Sequence, residues 1–500
     1  MFLKTTTVLF FLMILFCNYS IAQKNNSDTS QIAKKPINIA LDSLKSDKDL
    51  RNSSIGFCAL DTKTGTIIAE LNSQQTLVPA SNMKIVTTAA VLEIFGKNYQ
   101  FKTFLQYDGY IDSACVLQGN IYIKGGGDPT LGSNLFQKNN TNLFFLTHWT
   151  NAISQLGIHK IKGAIIADDE LFSGEAIPST WIWGDIGNYY GAGASALSIF
   201  DNNYEIEFET GDKSGEKTVV KTITPCIPYL DLKNEVLSSE IADDNSCIFG
   251  APLSEERIIK GSIPINTKSF KVRGAIPTPP LLAAMVLDEH LKSYGISVSK
   301  NPKTIQHSTF NIQHSKLKIT FDTLYSPTLD TIIYWTNMKS INSYCENILN
   351  HIGLEKNKIG STASGTFALK EFWKSKGIDT QGMFLSDGSG LSRNNGITAF
   401  QLSQIMKYMT TSKEYFSFYK SLPVAGRSGT LASLCIGTAA EGNLRAKSGS
   451  MSRVRAYTGF VTTKKGNQLA FAMIVNNYNC SAEEMKKKFE KLMIVMAEME

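Results

Sequence analysis

A serine followed three residues later by a lysine is the pattern in this sequence best suited to covalent chemistry. When such a pair begins a helix, both side chains lie on one face, and the lysine can serve as the base that activates the serine hydroxyl. The spacing alone does not identify one site, because five serines have it: Ser81, Ser214, Ser297, Ser315 and Ser417.

Ser81 has a context that the other four serines lack. It follows Pro79, which can set the entry into a helix, and it precedes the apolar run 85–92. We therefore predict that Ser81 and Lys84 lie in the first turn of a buried helix, where backbone amides and the helix dipole favour a developing oxyanion. The other serines lie in polar or strand-like segments. A plain helix cap remains the alternative for Ser81 on this motif alone.

The same chemistry needs a polar pair that can relay a proton and hold an amide substrate. A Ser-x-Asn segment at 340–342 has this form and is predicted at a helix start after an apolar stretch. A second copy at 392–394 lies in a glycine-rich loop, and a third at 299–301 is followed directly by proline, which favours a turn. We therefore choose Ser340 and Asn342.

A third requirement is a Lys-Ser/Thr-Gly segment at a strand edge, where a cation and a hydroxyl can bind a substrate carboxylate. Three segments match, beginning at Lys63, Lys213 and Lys447. The first is predicted as a hairpin turn and the second as a polar loop. The third immediately precedes a predicted strand that has a hairpin partner, so Lys447, Ser448 and Gly449 are the candidates.

Metal and nucleic-acid chemistry have little support. The six histidines contain no His-Glu-x-x-His motif, and no two cysteines have the Cys-x-x-Cys spacing of a zinc site. The glycines at 125–127 are not followed by Gly-Lys-Ser/Thr, so we predict a structural turn and no phosphate loop. The net charge of +6 is small for 500 residues and spread along the chain. We predict no metal and no nucleic-acid partner.

The elements that must position these residues mix helices and strands. Helices are predicted at 36–50, 81–95, 143–156, 279–294, 336–351, 366–376, 399–408 and 481–499, with hairpins at 54–71 and 454–476. Short strands and turns fill most of 99–274. We therefore predict one α/β domain made of residues 23–98 and 275–500, interrupted by a strand-rich insertion at 99–274 that is either one unit or two small subdomains. We expect the insertion to lie beside the cleft and to affect access by polymeric substrate.

Residues 1–22 are predicted to be a signal peptide. Lys4 gives a basic start, residues 8–17 are an unbroken apolar run, and small residues precede a cleavage site after Ala22. A bilayer core needs about 20 apolar residues, so this run does not span a membrane, and no later segment does. We predict a protein exported to the periplasm or another extracytoplasmic space. Whether Cys226 and Cys247 form a disulfide stays open from the sequence.

The three motifs in this order resemble the signature of penicillin-binding proteins and serine β-lactamases. The segments 125–131, 387–393, 422–426 and 429–431 narrow the resemblance to the D-alanyl-D-alanine carboxypeptidase/endopeptidase family of class C low-molecular-mass penicillin-binding proteins, the DacB-type group. The similarity runs from about residue 44 to residue 495 and includes an inserted region that simple β-lactamases lack. It implies an α/β (α+β) transpeptidase domain, an antiparallel sheet covered by helices, with a strand-rich insertion.

The resemblance also implies acyl transfer from a peptidoglycan stem peptide that ends in D-Ala-D-Ala. Ser81 would attack the penultimate carbonyl, Lys84 would take its proton, and Ser340 would protonate the departing D-alanine. Asn342 would hold the substrate amide. β-Lactams, as substrate mimics, would acylate the same serine, and no cofactor is implied.

The strand segment completes the implied site. Lys447 and Ser448 would bind the terminal carboxylate, with Gly449 beside them, and the backbone amide of Ser450 would complete an oxyanion hole. Serines stand where the family usually has threonines, and Cys345 stands where it tends to have alanine. Cleavage of D-Ala–diaminopimelate cross-links, a serine β-lactamase and a non-catalytic peptidoglycan-binding protein remain the alternatives.

Overall fold

The computed structural model of this chain describes residues 35–136, 143–305 and 317–500. The predicted signal peptide lies outside these residues, as does Ser315. The helices of the described residues are α1 Pro36–Lys45, α2 Met83–Phe95, α3 Phe144–Gln155, α4 Trp183–Ile186, α5 Pro279–Ser293, α6 Leu329–Lys339, α7 Asn342–Asn357, α8 Thr362–Ser375, α9 Ala399–Met409, α10 Tyr415–Ser421 and α11 Ala482–Glu498.

The strands divide between a central antiparallel sheet and several smaller sheets. They are β1 Ser54–Asp61, β2 Ile67–Leu71, β3 Thr76–Leu77, β4 Lys102–Tyr107, β5 Val116–Leu117, β6 Ile121–Lys124, β7 Lys160–Ile161, β8 Ile165–Asp168, β9 Asn203–Glu209, β10 Val219–Thr224, β11 Asp231–Ser239, β12 Cys247–Phe249, β13 Glu256–Pro264, β14 Phe270–Ala275, β15 Ser297–Val298, β16 Lys303–Thr304, β17 Ile319–Tyr325, β18 Ile397–Thr398, β19 Arg445–Met451, β20 Val454–Thr462 and β21 Gln468–Asn476. The central sheet has the order β19-β20-β21-β1-β2 and is antiparallel throughout.

The central strand β21 shows why this sheet needs helices on both faces. Successive side chains of a strand point to opposite faces, so a strand that is apolar at nearly every position is buried on both. Phe471 and Met473 pack in one cluster with α1 and α11, whereas Ala472 and Ile474 pack in another with α2, α7 and α9. The predicted fold class, an antiparallel sheet covered by helices, is confirmed.

A separate apolar cluster forms the core of the strand-rich region. Trp149 of α3 is buried there among residues of β4, β6, β8 and β9. Leu282 and Leu287 of α5 lie in the same cluster, and Phe321 of β17 packs against it, although all three follow residue 274. β17 also pairs with β4. The boundaries 99 and 274 remain a prediction, and from this packing we propose that the insertion continues to about Tyr325.

The predicted helix 336–351 is wrong as a single element. Two helices, α6 and α7, occupy this stretch, and Ser340 between them has a left-handed backbone with φ of 59°. Apolar residues continue on both sides of the break, with Ile333 before it and Ile348 after it, so their periodicity does not reveal one left-handed residue. The break separates Ser340 from the helix that begins with Asn342.

Two smaller expectations concern the insertion. Cys226 and Cys247 are free thiols in the structure. The glycines at 125–127 lie in the loop after β6, and Asp128 directly after them accepts hydrogen bonds from the amide and hydroxyl of Thr130. A Cβ on Gly126 would lie 1.8 Å from the carbonyl oxygen of residue 102, so the close approach of two backbones requires glycine.

In the part of the chain that the structure describes, no helix combines the length and hydropathy needed to cross a bilayer.

Burial of the sheet on both faces predicts a large stability difference between two identical substitutions. Phe471→Ala, at a side chain that is 0% exposed, should lower the free energy of unfolding by about 3–5 kcal/mol because it leaves a cavity. Phe367→Ala, at a side chain that is 62% exposed on α8, should change it by less than about 0.5 kcal/mol. Urea denaturation measures both, and equal effects would contradict this packing.

Candidate active site

Ser81 lies in a 3₁₀ turn, Ala80–Asn82, that leads directly into α2. The predicted position at a helix start is confirmed, with a 3₁₀ turn in place of a first α-helical turn. Ala80 has a φ of 47°, in the left-handed region that non-glycine residues rarely adopt. A Cβ on Gly390 would lie 1.9 Å from the Ala80 carbonyl oxygen, so the neighbouring loop is in direct backbone contact with this turn. Surrounding structure holds the strained turn in place.

Lys84 is fully buried beside Ser81, and its Nζ lies within hydrogen-bond distance of three oxygens. Its Nζ lies 3.2 Å from Ser81 Oγ, 2.6 Å from Asn342 Oδ1 and 2.8 Å from the carbonyl oxygen of Ser389. Burial lowers the pKa of Lys84, and nearby groups, Glu346 among them, oppose this change in part. The Ser81 hydroxyl therefore faces a lysine whose neutral form is favoured by burial.

Asn342 and Ser340 approach the site from opposite sides of the break between α6 and α7. Asn342 accepts from Lys84 and donates through Nδ2 to the carbonyl oxygen of Tyr190, at 2.7 Å. Ser340 Oγ accepts from Lys447 Nζ, at 2.9 Å. Tyr190 belongs to the predicted insertion. The insertion therefore contacts Asn342 through the Tyr190 carbonyl, and its effect on access by polymeric substrate stays a prediction.

Lys447, Ser448 and Gly449 lie within β19, the edge strand of the central sheet. They precede the predicted strand 454–462, which is β20, as expected. Lys447 is buried, and its Nζ also donates to the carbonyl oxygen of Ser448, at 2.7 Å. Burial, followed by the nearby charge of Lys84, lowers the pKa of Lys447 well below its usual value. Two buried lysines thus enter one site, and the charge of Lys84 disfavours the charge of Lys447.

Gly449 brings the edge strand against the Ser81 turn. A Cβ at this position would lie 2.5 Å from the carbonyl oxygen of Pro79 and 3.1 Å from the amide nitrogen of Ser81. Because a side chain would force the strand away from the turn, the glycine of this motif has a steric cause. Ser448 Oγ donates to Thr430 Oγ1 at 2.7 Å, and the exposed Ser450 accepts from an arginine further along the hairpin.

The structure thus joins five of the predicted residues by hydrogen bonds: Ser81, Lys84, Asn342, Ser340 and Lys447. These bonds form two groups, Ser81–Lys84–Asn342 and Ser340–Lys447. Ser448, Gly449 and Ser450 belong to the strand that Gly449 places against the Ser81 turn.

The alternative copies of each motif are placed differently. Ser392 is buried in the loop before β18, where its amide donates to Asp387 and its hydroxyl accepts from a backbone amide. Ser214 and Ser297 are exposed. Lys63 lies in the turn between β1 and β2, and the segment that begins at 213 lies in a loop before β10. These copies occupy loops, turns and surface positions.

Two buried carboxylates in the site were not chosen from the sequence, and Glu346 is the first. It lies one helical turn after Asn342 on α7, and its oxygens accept from the amides of Gly388, at 3.0 Å, and Ser389, at 2.8 Å. Burial, reinforced by the charge of Asp387, raises the pKa of Glu346 to about 7. The sequence did contain one signal for Glu346: it follows Asn342 by four residues, and residues with this spacing lie on the same face of a helix.

Asp387 is the second carboxylate, and it organises the loop between α8 and β18. It accepts from the amides of Gly390, at 2.7 Å, and Ser392, at 2.6 Å, and from Asn395 Nδ2, at 2.7 Å. The indole of Trp181, in the predicted insertion, donates to it at 2.8 Å. The loop that supplies the Ser389 carbonyl is therefore held partly by the insertion.

Cys345 is a buried thiol near the site. Its Sγ donates to the carbonyl oxygen of Gly388 at 3.1 Å, and burial raises the pKa of Cys345 to about 12. A thiol that stays protonated is a poor nucleophile.

Within residues 35–136, 143–305 and 317–500, no group of three or more His, Cys, Asp or Glu side chains is arranged to hold a metal ion. The arrangement is suited to serine acyl transfer with lysine as the base.

Comparisons with known proteins agree with this geometry. The chain is 28% identical over 456 residues to the D-alanyl-D-alanine carboxypeptidase of Actinomadura sp. (strain R39), which covers 88% of this chain and 80% of the relative. It is 25% identical over 444 residues to the D-alanyl-D-alanine carboxypeptidase DacB of Haemophilus influenzae, with 87% and 88% covered. The structure of penicillin binding protein 4 (dacB) from Haemophilus influenzae is similar with a TM-score of 0.77 at 23% identity, covering 92% of this chain and 97% of that one.

The structural similarity confirms the penicillin-binding-protein fold. The profile of one family, described as D-Ala-D-Ala carboxypeptidase 3 (S13), matches residues 37–499, almost the whole of the described chain. The serine-type D-Ala-D-Ala carboxypeptidase activity that the resemblance implies is thereby confirmed at the level of the family. This chain belongs to the D-Ala-D-Ala carboxypeptidase 3 (S13) family.

Proposed function

We propose that this enzyme removes the terminal D-alanine of peptidoglycan stem peptides through an acyl-enzyme on Ser81. The observation that carries the proposal is the hydrogen bond between Lys84 Nζ and Ser81 Oγ, 3.2 Å long, at a lysine whose pKa is lowered by burial. A serine hydroxyl becomes a strong nucleophile when an adjacent base takes its proton. Neutral Lys84 is that base.

In the acylation step, Ser81 Oγ attacks the carbonyl carbon of the penultimate D-alanine while its proton passes to Lys84. The tetrahedral oxyanion is stabilised by the backbone amides of Ser81 and Ser450. Ser340 delivers a proton to the departing amine, and Lys447, which donates to Ser340 Oγ, can replace that proton. Breaking the amide bond releases D-alanine, water then hydrolyses the ester to regenerate Ser81, and the proton taken up by Lys84 returns to Lys447.

Substrate recognition falls to the edge strand and Asn342. Lys447 and Ser448 bind the terminal carboxylate by charge and hydrogen bonds, with Gly449 allowing the strand to approach the nucleophile. Asn342 uses its side-chain amide to position the substrate. β-Lactams present the same carbonyl and carboxylate, so we propose that they acylate Ser81. Peptidoglycan lies outside the cytoplasm, which agrees with the predicted export signal at 1–22.

The carboxypeptidase is favoured over the β-lactamase alternative by the position of Glu346. Rapid hydrolysis of a β-lactam acyl-enzyme needs a base that activates water. The carboxylate of Glu346 is buried and accepts from two backbone amides, so its oxygens are already engaged. We therefore propose that the β-lactam acyl-enzyme is hydrolysed slowly and that removal of the terminal D-alanine is the main reaction. Cleavage of peptidoglycan cross-links is a second activity to be assayed with a cross-linked substrate.

Ser81→Ala should abolish covalent labelling by a fluorescent penicillin while the protein stays folded. The change removes the nucleophilic oxygen and one hydrogen bond, which costs about 1 kcal/mol of stability. Labelling is read on a denaturing gel and folding by circular dichroism. Ser214→Ala, at an exposed serine with the same Ser-x-x-Lys spacing, is the matched control and should label like the wild type. Undiminished labelling of the Ser81 variant would overturn the assignment.

Ser340→Ala should slow acylation by about 10²–10⁴-fold, the usual contribution of a group that transfers protons in the transition state. Ser392→Ala should label nearly as well as the wild type, because Ser392 has a structural place in its loop. Rates of penicillin acylation under single-turnover conditions compare the two. Similar losses in both variants would show that the choice between these copies was wrong.

The rate of acylation should fall on acidification with an apparent pKa below 10.5, the ordinary value for lysine. Only neutral Lys84 can accept the Ser81 proton, so the rate follows the deprotonated fraction, which is large above the pKa and small below it. Because burial lowers the pKa of Lys84, the acid limb moves toward neutral pH. Second-order rate constants measured against pH test this, and a limb near the ordinary value would contradict a neutral Lys84.

A further inference from the structure

Glu346 is a buried carboxylate that the acyl-transfer steps do not use. It lies on the helix that begins with Asn342, and both of its oxygens are bonded to successive backbone amides, those of Gly388 and Ser389. The peptide unit that follows the second amide carries the Ser389 carbonyl, which accepts from Lys84 Nζ at 2.8 Å. One carboxylate thus links α7, the 387–390 loop and Lys84 of α2.

We propose that Glu346 is a positioning residue, which fixes the Ser389 carbonyl against Lys84 and supplies negative charge that sets the range of pH over which Lys84 serves as the base. The proposal rests on the proposed function, in which Lys84 takes the Ser81 proton. It assigns Glu346 no contact with the substrate.

A carboxylate is suited to this position because both of its oxygens accept. The amides of Gly388 and Ser389 converge on one side chain, and above its pKa of about 7 the ionised carboxylate accepts both with charge-assisted hydrogen bonds. A glutamine has one acceptor oxygen and an NH₂ group that would face a backbone N–H. The charge and the second acceptor are therefore both lost in Glu346→Gln, without a large change in volume.

Several ionisable groups meet around Lys84, and they act in opposite directions. Cys345 and Glu346 come from α7, Asp387 from the loop, and Lys447 from β19. Glu346 and Asp387 favour the ammonium form of Lys84, which opposes burial. Asp387 accepts hydrogen bonds from four donors, including the Trp181 indole. The Glu346 carboxylate instead accepts from the two amides of the loop that contacts Lys84. Removal of Glu346 should therefore make Lys84 easier to deprotonate.

The test compares Glu346→Gln with Glu414→Gln in single-turnover acylation by a fluorescent penicillin across a range of pH. Glu414 is also buried, but it precedes α10 and packs near Gly96, at the opposite end of α2 from Lys84. Glu346→Gln should move the acid limb to lower pH and should lower the maximal rate by about 10–100-fold, because small displacements of catalytic groups are costly. Glu414→Gln should keep the limb and the rate of the wild type.

A second variant distinguishes the effect of the charge from the effect of side-chain length. It also provides the test if Glu346→Gln fails to fold. Glu346→Asp keeps the charge but is one methylene shorter, so it should lower the maximal rate while the acid limb stays near that of the wild type. A wild-type rate in Glu346→Asp, or a wild-type limb and rate in folded Glu346→Gln, would overturn the positioning role. If the proposed function itself failed, Ser81→Ala would still be labelled, so the two failures are distinguishable.

Discussion

The burial of Lys84 next to Ser81 is the constraint on which the rest of this structure depends. A lysine taken out of water is costly unless it becomes neutral or finds acceptors, and Lys84 has three: Ser81 Oγ, Asn342 Oδ1 and the Ser389 carbonyl. Each acceptor comes from a different part of the chain, so the fold must bring all of them to one point. The same burial that makes the lysine costly makes it available as a base at moderate pH.

Close backbone contacts allow these parts to meet. Gly449 lets the edge strand reach the Ser81 turn, and Gly390 lets the 387–390 loop reach the carbonyl of Ala80. The insertion adds further support from the other side, through the Tyr190 carbonyl at Asn342 and the Trp181 indole at Asp387. The catalytic arrangement therefore depends on the central sheet with its helices and also on the strand-rich region. Deletion of the insertion would therefore remove two hydrogen-bond partners of the site, the Tyr190 carbonyl and the Trp181 indole, as well as the surface beside the cleft.

Motif order and periodicity predicted much of this site. The apolar run after Ser81 predicted its helix, and the final hairpin located Lys447 in the correct part of the sheet. The helix start predicted at 340–342 is the start of α7, whereas the end of α6 just before it was missed, because a single left-handed residue leaves the apolar pattern on either side intact. Glu346 and Asp387 were missed for another reason. The amides that bond Glu346 and the Trp181 indole that bonds Asp387 are distant in the sequence, and the tertiary fold brings them together, so the local sequence does not show these contacts.

The central claim is that Ser81 forms the covalent intermediate. It is tested most directly by incubating the unmodified protein with benzylpenicillin, digesting it and locating the adduct by tandem mass spectrometry. The account predicts one penicilloyl group per molecule, carried by the side chain of Ser81. An adduct located on any other residue, or no adduct on a folded protein, would contradict it.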